Sequence, residues 1–239
     1  MREFKVYKNS EALNKKFYID WIDDAIGIPK ERVYCFFDDQ EYMEYDQNIG
    51  NCYKKNKGFH RYTGDKERII GYHPCDIFTI MKRDDCDHFI WISKEICESN
   101  DAKFAWYYSH ELQHLIHYIE NPSLCNLSYF LHDTYSGING PRWPIEVPIE
   151  FDCDLMAKTI VKDIFGMDSK SLNEVIRSVF CQEEYRKFIE IEALMPFDIE
   201  KETIRIICDN KNKFKSYTHY IDEYELDIDS ICSKYVLNH

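Results

Sequence analysis

The sequence contains no run of about 20 apolar residues, the length that a helix needs to cross the hydrocarbon core of a bilayer. Charged residues interrupt its first apolar stretch and no small-residue cleavage site follows, so no secretory signal is predicted. Internal repeats and low-complexity segments are also lacking. We therefore expect a globular, cytoplasmic protein that has no membrane as a partner.

The sequence also lacks any Cys-x-x-Cys pair, although it contains ten cysteines. Their irregular spacing excludes a zinc ribbon and suggests no compact disulfide scaffold. With 239 residues, the chain can bury a sizeable core without disulfides. We predict that most of the cysteines are reduced and that those in apolar stretches pack as small hydrophobic side chains.

Basic residues are outnumbered: 30 Lys and Arg stand against 43 Asp and Glu, which gives a formal net charge of −13. The acidic residues are spread along the chain rather than gathered in a tail. Such a charge balance repels the phosphates of nucleic acids and anionic membrane surfaces. Nucleic acid is therefore not expected as a partner.

The most informative stretch is His-Glu-Leu-Gln-His at residues 110–114, inside a segment with apolar residues at helical spacing. On a helix, His110 and His114 lie one turn apart on the same face, where two imidazoles can hold one zinc ion at about 2.0–2.1 Å each. Glu111 lies about 100° around the helix, too far for a natural third ligand but well placed to take a proton from a metal-bound water. The stretch predicts a metal-dependent hydrolase, and a peptidase above other hydrolases.

A catalytic zinc site needs a third protein ligand and one position open to water. The three-histidine extension of the motif is lacking, because His117 stands where glycine is required and Glu120 where the third histidine is required. We therefore look for a carboxylate on another helix.

A second helix is predicted from about residue 148 to residue 165. Glu150, in its first turn, is the predicted third ligand, and Glu146, four residues earlier, is the alternative. Asp154 lies one turn after Glu150 on the same face. We predict that Asp154 accepts the second N–H of a ligating histidine, which fixes the tautomer of that histidine.

The two motifs together resemble those of the gluzincin metallopeptidases, and they are most similar to the compact ImmA/IrrE-type metallopeptidase family. Members of that family carry His-Glu-x-x-His and then Glu-x-x-Ala-Asn/Asp-x-x-Ala on the next helix. This sequence has His-Glu-x-x-His from residue 110 and Glu-x-x-Cys-Asp-x-x-Ala from residue 150. Cys153 thus replaces the small alanine of the family, and the resemblance covers roughly residues 88–165.

The resemblance implies a zincin-like fold and one zinc ion as cofactor. The zinc ligands that it implies are His110, His114 and Glu150. It further implies that Glu111 is the general base and that the substrate is a peptide or protein. A strand predicted at residues 88–93, directly before the motif helix, would be the edge strand to which an extended substrate adds.

A long irregular loop is predicted at residues 123–148, because glycine and proline are frequent there. His132 and Tyr135 in this loop are candidates for stabilising the oxyanion of the tetrahedral intermediate. His117 lies on the metal-facing side of the motif helix and is a candidate for a contact beside the ligands.

The remaining sequence predicts an α+β protein. Residues 38–46 predict an acidic helix or turn, and residues 48–65 a loop in which His60 is a surface histidine. The predicted elements that precede the motif helix are a helix at 11–26 and strands at 4–7, 32–37, 68–72, 76–81 and 88–93.

We expect residues 1–168 to form a zincin-like domain with a small mixed sheet, an edge strand, the active-site helix and the ligand helix. Residues 169–239 are predicted to be a mainly helical extension packed on that domain, which offers a surface for a protein partner.

Two functions of different classes fit this sequence. The first is a zinc metallopeptidase, and the alternative is a non-catalytic metal-binding module that binds a partner or regulates through a zincin-like scaffold. An open fourth position on the metal favours the enzyme, whereas a fourth protein ligand such as His117 or Cys153 favours the structural site.

Overall fold

The structure, a computed structural model, describes residues 5–28, 33–46, 52–62, 87–139, 144–196 and 198–237. Its strands are β1 (Lys5–Tyr7), β2 (Val33–Phe37), β3 (Tyr42–Asp46), β4 (Cys52–Asn56), β5 (Gly58–Tyr62) and β6 (His88–Ile92). Its helices are α1 (Ser10–Asn14), α2 (Lys16–Ile26), α3 (Lys94–Cys97), α4 (Asp101–Glu120), α5 (Pro122–Asn139), α6 (Pro148–Phe165), α7 (Ser169–Val179), α8 (Gln182–Glu192), α9 (Ile199–Asp209), α10 (Lys211–Phe214), α11 (Thr218–Glu223) and α12 (Ile228–Leu237). The predicted strands at 68–72 and 76–81 lie outside the described residues. The chain is an α+β protein, as the sequence predicts.

Strands β1, β2, β6 and β5 form a mixed four-stranded sheet in that order. β1, β2 and β6 run parallel, whereas β5 pairs antiparallel with β6. Every residue of β6 is buried, as is typical of an interior strand. The prediction that residues 88–93 form the edge strand is therefore wrong, because β5 pairs with β6 on its outer side and places Gly58 opposite Ile92.

Strands β3, β4 and β5 lie in segments where the sequence did not predict strands. Residues 38–46 contain β3 instead of a helix or turn, and residues 48–65 contain β4 and β5 instead of a loop. β3 and β4 pair as a separate antiparallel two-stranded sheet. His60, on β5, is consequently buried rather than on the surface, and its Nε2 lies 3.2 Å from Nδ1 of His88.

Helix α4 carries the predicted motif and packs on the four-stranded sheet. The rings of Phe104 and Tyr108 lie 5.9 and 5.6 Å from the ring of Phe37 on β2. The Tyr108 hydroxyl donates to Oδ1 of Asp23 at 2.7 Å and lies 3.6 Å from Sγ of Cys35. Burial raises the pKa of Tyr108 well above its ordinary value, so the phenol keeps the proton that it donates. These contacts fix the rotation of α4 about its own axis relative to the sheet.

The segment between the two motifs, residues 123–148, was predicted as an irregular loop and is mostly helix α5. Its apolar residues recur at helical spacing and are buried, because the helix packs in a core with α9 and α10. The ring of Phe130, for example, lies 5.3 Å from that of Phe214. The buried apolar residues of α5 are Leu124, Cys125, Leu127, Phe130 and Leu131.

The chain divides into two compact units. One unit comprises residues 1–47, 51–116 and 155–179, and it contains the four-stranded sheet. The other comprises residues 48–50, 117–154 and 180–239. The boundaries fall inside helices α4 and α6, and the predicted domain boundary after residue 168 stays a prediction. Among the described residues, no helix is long and apolar enough to cross a membrane.

The C-terminal region is helical from α7 to α12, as predicted. A disulfide between Cys208 and Cys232, whose Cα atoms lie 5.3 Å apart, joins α9 to α12. This pair is an exception to the expectation of reduced cysteines. Burial raises the pKa of Cys97 and Cys125 to about 12, so these two thiols behave as small core side chains. Among the cysteines whose side chains the structure describes, those that form no disulfide are Cys35, Cys97, Cys125, Cys153 and Cys181.

Candidate metal centre

Helix α4 begins after a side-chain cap. Oδ1 of Asn100 accepts a hydrogen bond from the backbone N–H of Lys103 at 2.9 Å, and Asp101 places a negative charge in the first turn. The helix then continues for 20 residues. Because it is uninterrupted, the two motif histidines lie one turn apart on one face, as the sequence predicts.

Ligand atoms from His110, His114 and Glu150 lie within 4.8 Å of one another. Nε2 of His110 is 3.1 Å from Nε2 of His114. In a tetrahedral zinc site with bonds of about 2.0–2.1 Å, ligand atoms lie about 3.3 Å apart, so the imidazole pair has the separation that one shared ion requires. Two imidazole nitrogens and a carboxylate oxygen also form a donor set that zinc accepts. The three residues could therefore hold a metal ion.

The carboxylate in this group comes from the beginning of helix α6. Pro148 occupies the first position of α6, where its missing N–H has no intrahelical partner to lose, and Glu150 follows in the first turn. Glu146, the alternative ligand, lies on the preceding 3₁₀ turn and is not a member of the group. His114 is buried, whereas His110 and Glu150 are half-buried.

Glu111 is buried beside strand β5, with 6% of its surface exposed. A Cβ atom at position 58 would lie 3.0 Å from Oε1 of Glu111 and 3.2 Å from its Cγ. The carboxylate thus occupies space that is open because residue 58 is glycine. Glu111 is not a member of the ligand group, which agrees with its position around the helix from His110.

A second histidine–carboxylate pair joins the same two helices. Nε2 of His117 lies 2.8 Å from Oδ2 of Asp152, and both side chains are largely buried. The sequence makes His117 a candidate for a contact beside the ligands. It predicts that Asp154, two residues after Asp152, accepts a hydrogen bond from a ligating histidine. Asp154 is buried on α6, and its hydrogen bond to a ligating histidine stays a prediction.

The two oxyanion candidates lie on helix α5 rather than on a loop. Nδ1 of His132 lies 3.4 Å from Oδ1 of Asp133, and 42% of the His132 side chain is exposed. The side chain of Tyr135 lies outside what the structure describes. Their catalytic role stays a prediction.

One pair of side chains, to which the sequence analysis gave no role, joins the residue before strand β5 to helix α4. Nζ of Lys57 donates to the hydroxyl of Tyr107 at 2.9 Å and lies 5.3 Å from the centroid of the Tyr107 ring. Tyr107 shares a helix face with the motif histidines, which the sequence indicates. Lys57 was missed because residues 48–65 were predicted as a loop, and Gly58–Tyr62 shows no regular alternation that would indicate a strand.

Comparisons of this chain with protein-family models, with curated proteins and with solved structures find no match.

Proposed function

We propose that the protein is a zinc-dependent metallopeptidase and that His110, His114 and Glu150 are the zinc ligands. The observation that carries the proposal is the convergence of their ligand atoms within 4.8 Å. Two histidines from one helix and a glutamate from another are a donor set used by catalytic zinc sites. A mixed sheet with an antiparallel terminal strand, next to the motif helix, supports a zincin-like fold as part of this proposal.

The composition of the group also favours catalysis over a structural role. Structural zinc sites are closed by four protein ligands, whereas catalytic sites keep one position open. Among the described residues, neither His117 nor Cys153 belongs to the group that could hold the ion. The site therefore offers three protein ligands, which supports the enzyme over the non-catalytic module.

A zinc ion held by this group would supply a Lewis acid, which lowers the pKa of a water molecule and polarises a peptide carbonyl. Glu111 then acts as the general base: its carboxylate accepts the proton and later donates it to the nitrogen of the leaving amine. Strand β5 holds that carboxylate in place, since Gly58 packs against it. The buried environment of Glu111 limits its competing contacts with solvent.

The substrate in this proposal is an extended peptide. In the order of described strands, β5 is the terminal strand of the sheet and carries the residue that packs against Glu111. Backbone groups at the edge of a sheet can pair with an extended chain. We assign the substrate main chain to this edge, where it would run past the general base.

The experiment compares zinc content and peptide cleavage in matched variants. Wild-type protein is expected to bind one zinc per chain by elemental analysis and to cleave peptides in a defined mixture read by mass spectrometry. Glu111→Gln should keep its zinc and lose hydrolysis, because the amide cannot accept the proton. Glu150→Ala should lose zinc, whereas the control Glu146→Ala should keep it.

Each arm has a result that contradicts the proposal. An active Glu111→Gln protein would remove the general base, and full zinc occupancy in Glu150→Ala would remove the third ligand. A wild-type protein that holds one zinc and cleaves no peptide in the mixture would identify the chain as the non-catalytic module instead.

A further inference from the structure

Helix α4 is contacted at two consecutive positions of the chain, the first residue of strand β5 and the residue just before it. Gly58 packs against Glu111, and Lys57, the residue before it, donates to the hydroxyl of Tyr107 at 2.9 Å. The 5.3 Å between the Lys57 ammonium and the centre of the Tyr107 ring reflects the same contact, because the ammonium lies beyond the hydroxyl and not over the ring face. This hydrogen bond holds the phenol in a defined position beside the strand that carries Gly58.

The helix places this phenol between a ligand and the general base. Tyr107 lies three residues before His110 and four before Glu111. At about 100° per residue, Tyr107 points about 60° from His110 in one direction and about 40° from Glu111 in the other. It therefore lies one turn toward the N-terminus on the part of the helix surface that separates the ligand from the base.

The Lys57 contact determines what the phenol can do. An ammonium group has three donors and no acceptor, so the hydroxyl oxygen of Tyr107 is the acceptor in this bond and its O–H acts as a donor. A positive charge beside the oxygen withdraws electron density from it and strengthens that donor. The pair is thus a polarised hydrogen-bond donor, which is the kind of group that stabilises an oxyanion.

We propose that Tyr107 is a catalytic residue whose hydroxyl donates a hydrogen bond to the substrate carbonyl oxygen as negative charge develops on it. Lys57 is a positioning residue that orients and polarises the phenol. The phenol keeps its proton throughout, so no bond is made or broken at Tyr107. This inference rests on the proposed function, and it assigns to Tyr107 the role for which the sequence suggested His132 and Tyr135.

The test measures whether the hydroxyl acts on the transition state or merely ties two elements together. The substrate is the peptide of the defined mixture that wild type cleaves fastest, and the probe is its phosphinic analogue, which mimics the oxyanion. Tyr107→Phe removes only one oxygen. It should lower kcat by about 100-fold, lower the affinity for the phosphinic analogue by a similar factor, and change KM by less than about 3-fold. Zinc content should be unchanged.

A second pair of variants tests whether the positive charge of Lys57 contributes to the rate. Lys57→Met keeps the length of the side chain without the ammonium and should lower kcat by about 10-fold, whereas Lys57→Arg should restore most of it. The matched controls are Tyr118→Phe and Lys103→Met, which remove the same groups elsewhere on α4 and should keep wild-type kcat. If Lys57 only held the two elements together, Lys57→Arg would not restore kcat relative to Lys57→Met.

The outcomes separate this inference from the proposed function. If wild type cleaves peptides and Glu111→Gln does not, but Tyr107→Phe keeps its kcat, the oxyanion role is wrong and the peptidase proposal stands. Loss of kcat with unchanged affinity for the phosphinic analogue, or loss of zinc from Tyr107→Phe, would also overturn the role. If zinc-loaded wild type cleaves nothing, the peptidase proposal itself fails.

Discussion

Replacing Gly58 with alanine tests whether strand β5 sets the position of the Glu111 carboxylate. The new Cβ would lie 3.0 Å from Oε1 and 3.2 Å from Cγ of Glu111, and 3.2 Å from Cδ1 of Ile92. Ordinary contacts begin at 3.4 Å, so the carboxylate must move by about 0.4 Å. A 1 Å misplacement of a reacting group can cost about 100-fold in rate. We expect Gly58→Ala to lower kcat by about 5- to 10-fold, and Gly58→Val to lower it further.

The same substitution should leave the metal and the fold largely intact. The nearest atoms to the new methyl group belong to Glu111 and Ile92, and not to His110 or His114 of the candidate metal centre. Overpacking costs about 1–3 kcal/mol, and the lower conformational entropy of the unfolded chain recovers about 0.4–1 kcal/mol. Zinc content should therefore match wild type, and the melting temperature should fall by a few degrees.

The assay is a double-mutant cycle measured at 25 °C on the zinc-loaded protein. If Gly58→Ala acts by displacing the carboxylate, it should have no further effect on the residual rate of Glu111→Gln. Gly27→Ala is the control, because its φ of +76° strains a side chain while its Cβ would contact nothing within 4 Å. A wild-type kcat in Gly58→Ala, or an equal loss in both backgrounds of the cycle, would refute the reasoning.

Three further predictions concern stability. Burial lowers the pKa of His88, so the unfolded chain takes up a proton at that site more readily than the folded one. Stability to urea should therefore fall as the pH drops below about 6.5, and this fall should be less steep in His88→Gln. Reducing the Cys208–Cys232 disulfide, which closes a sequence separation of 24 residues, should lower the free energy of unfolding by about 2–4 kcal/mol, measured by thermal unfolding with and without a phosphine reductant. A response to the reductant in a variant with both cysteines replaced by alanine would contradict this. Burial raises the pKa of Asp38, whose two carboxylate oxygens accept from Nε1 of Trp91 at 2.8 Å and from the backbone N–H of Gln40 at 3.2 Å. Asp38→Asn replaces one of these acceptors with a donor and should lower stability at pH 7, but by less than Asp38→Leu, which should lose about 1–3 kcal/mol in urea titrations.

The parts of the site that the sequence predicts are those encoded by neighbouring residues. The spacing of His110 and His114 and the helix that carries Glu150 both follow from local rules of helix formation. The predicted second helix, at about 148 to 165, agrees with α6. Local signals suffice here because a helix satisfies its hydrogen bonds within its own segment.

The parts that the sequence misses depend on distant partners. Strand β5 forms by pairing with β6, about 30 residues later, and its glycine and consecutive polar residues favour a loop when read alone. Because β5 was not expected, the burial of His60 and the contact between Lys57 and Tyr107 were not expected either. The helix at α5 was missed for a different reason: the glycines and prolines near its C-terminal end were given more weight than the helical spacing of its leucines.

Tyr107 and Tyr108, which are consecutive on helix α4, make contacts on different sides of the helix. A change in chain length between Tyr108 and His110 would move His110 and His114 and leave these contacts in place. Tyr108 donates a hydrogen bond to Asp23 in the core, while Tyr107 contacts Lys57 on the side of the helix that carries His110 and His114. Only Ser109 separates Tyr108 from His110. Inserting or deleting one residue there would turn the rest of helix α4 by about 100° and carry His110 and His114 away from Glu150 while the core contacts of Tyr108 remain. Substitutions at Ser109 are therefore a milder perturbation of the metal centre than any insertion or deletion at that point.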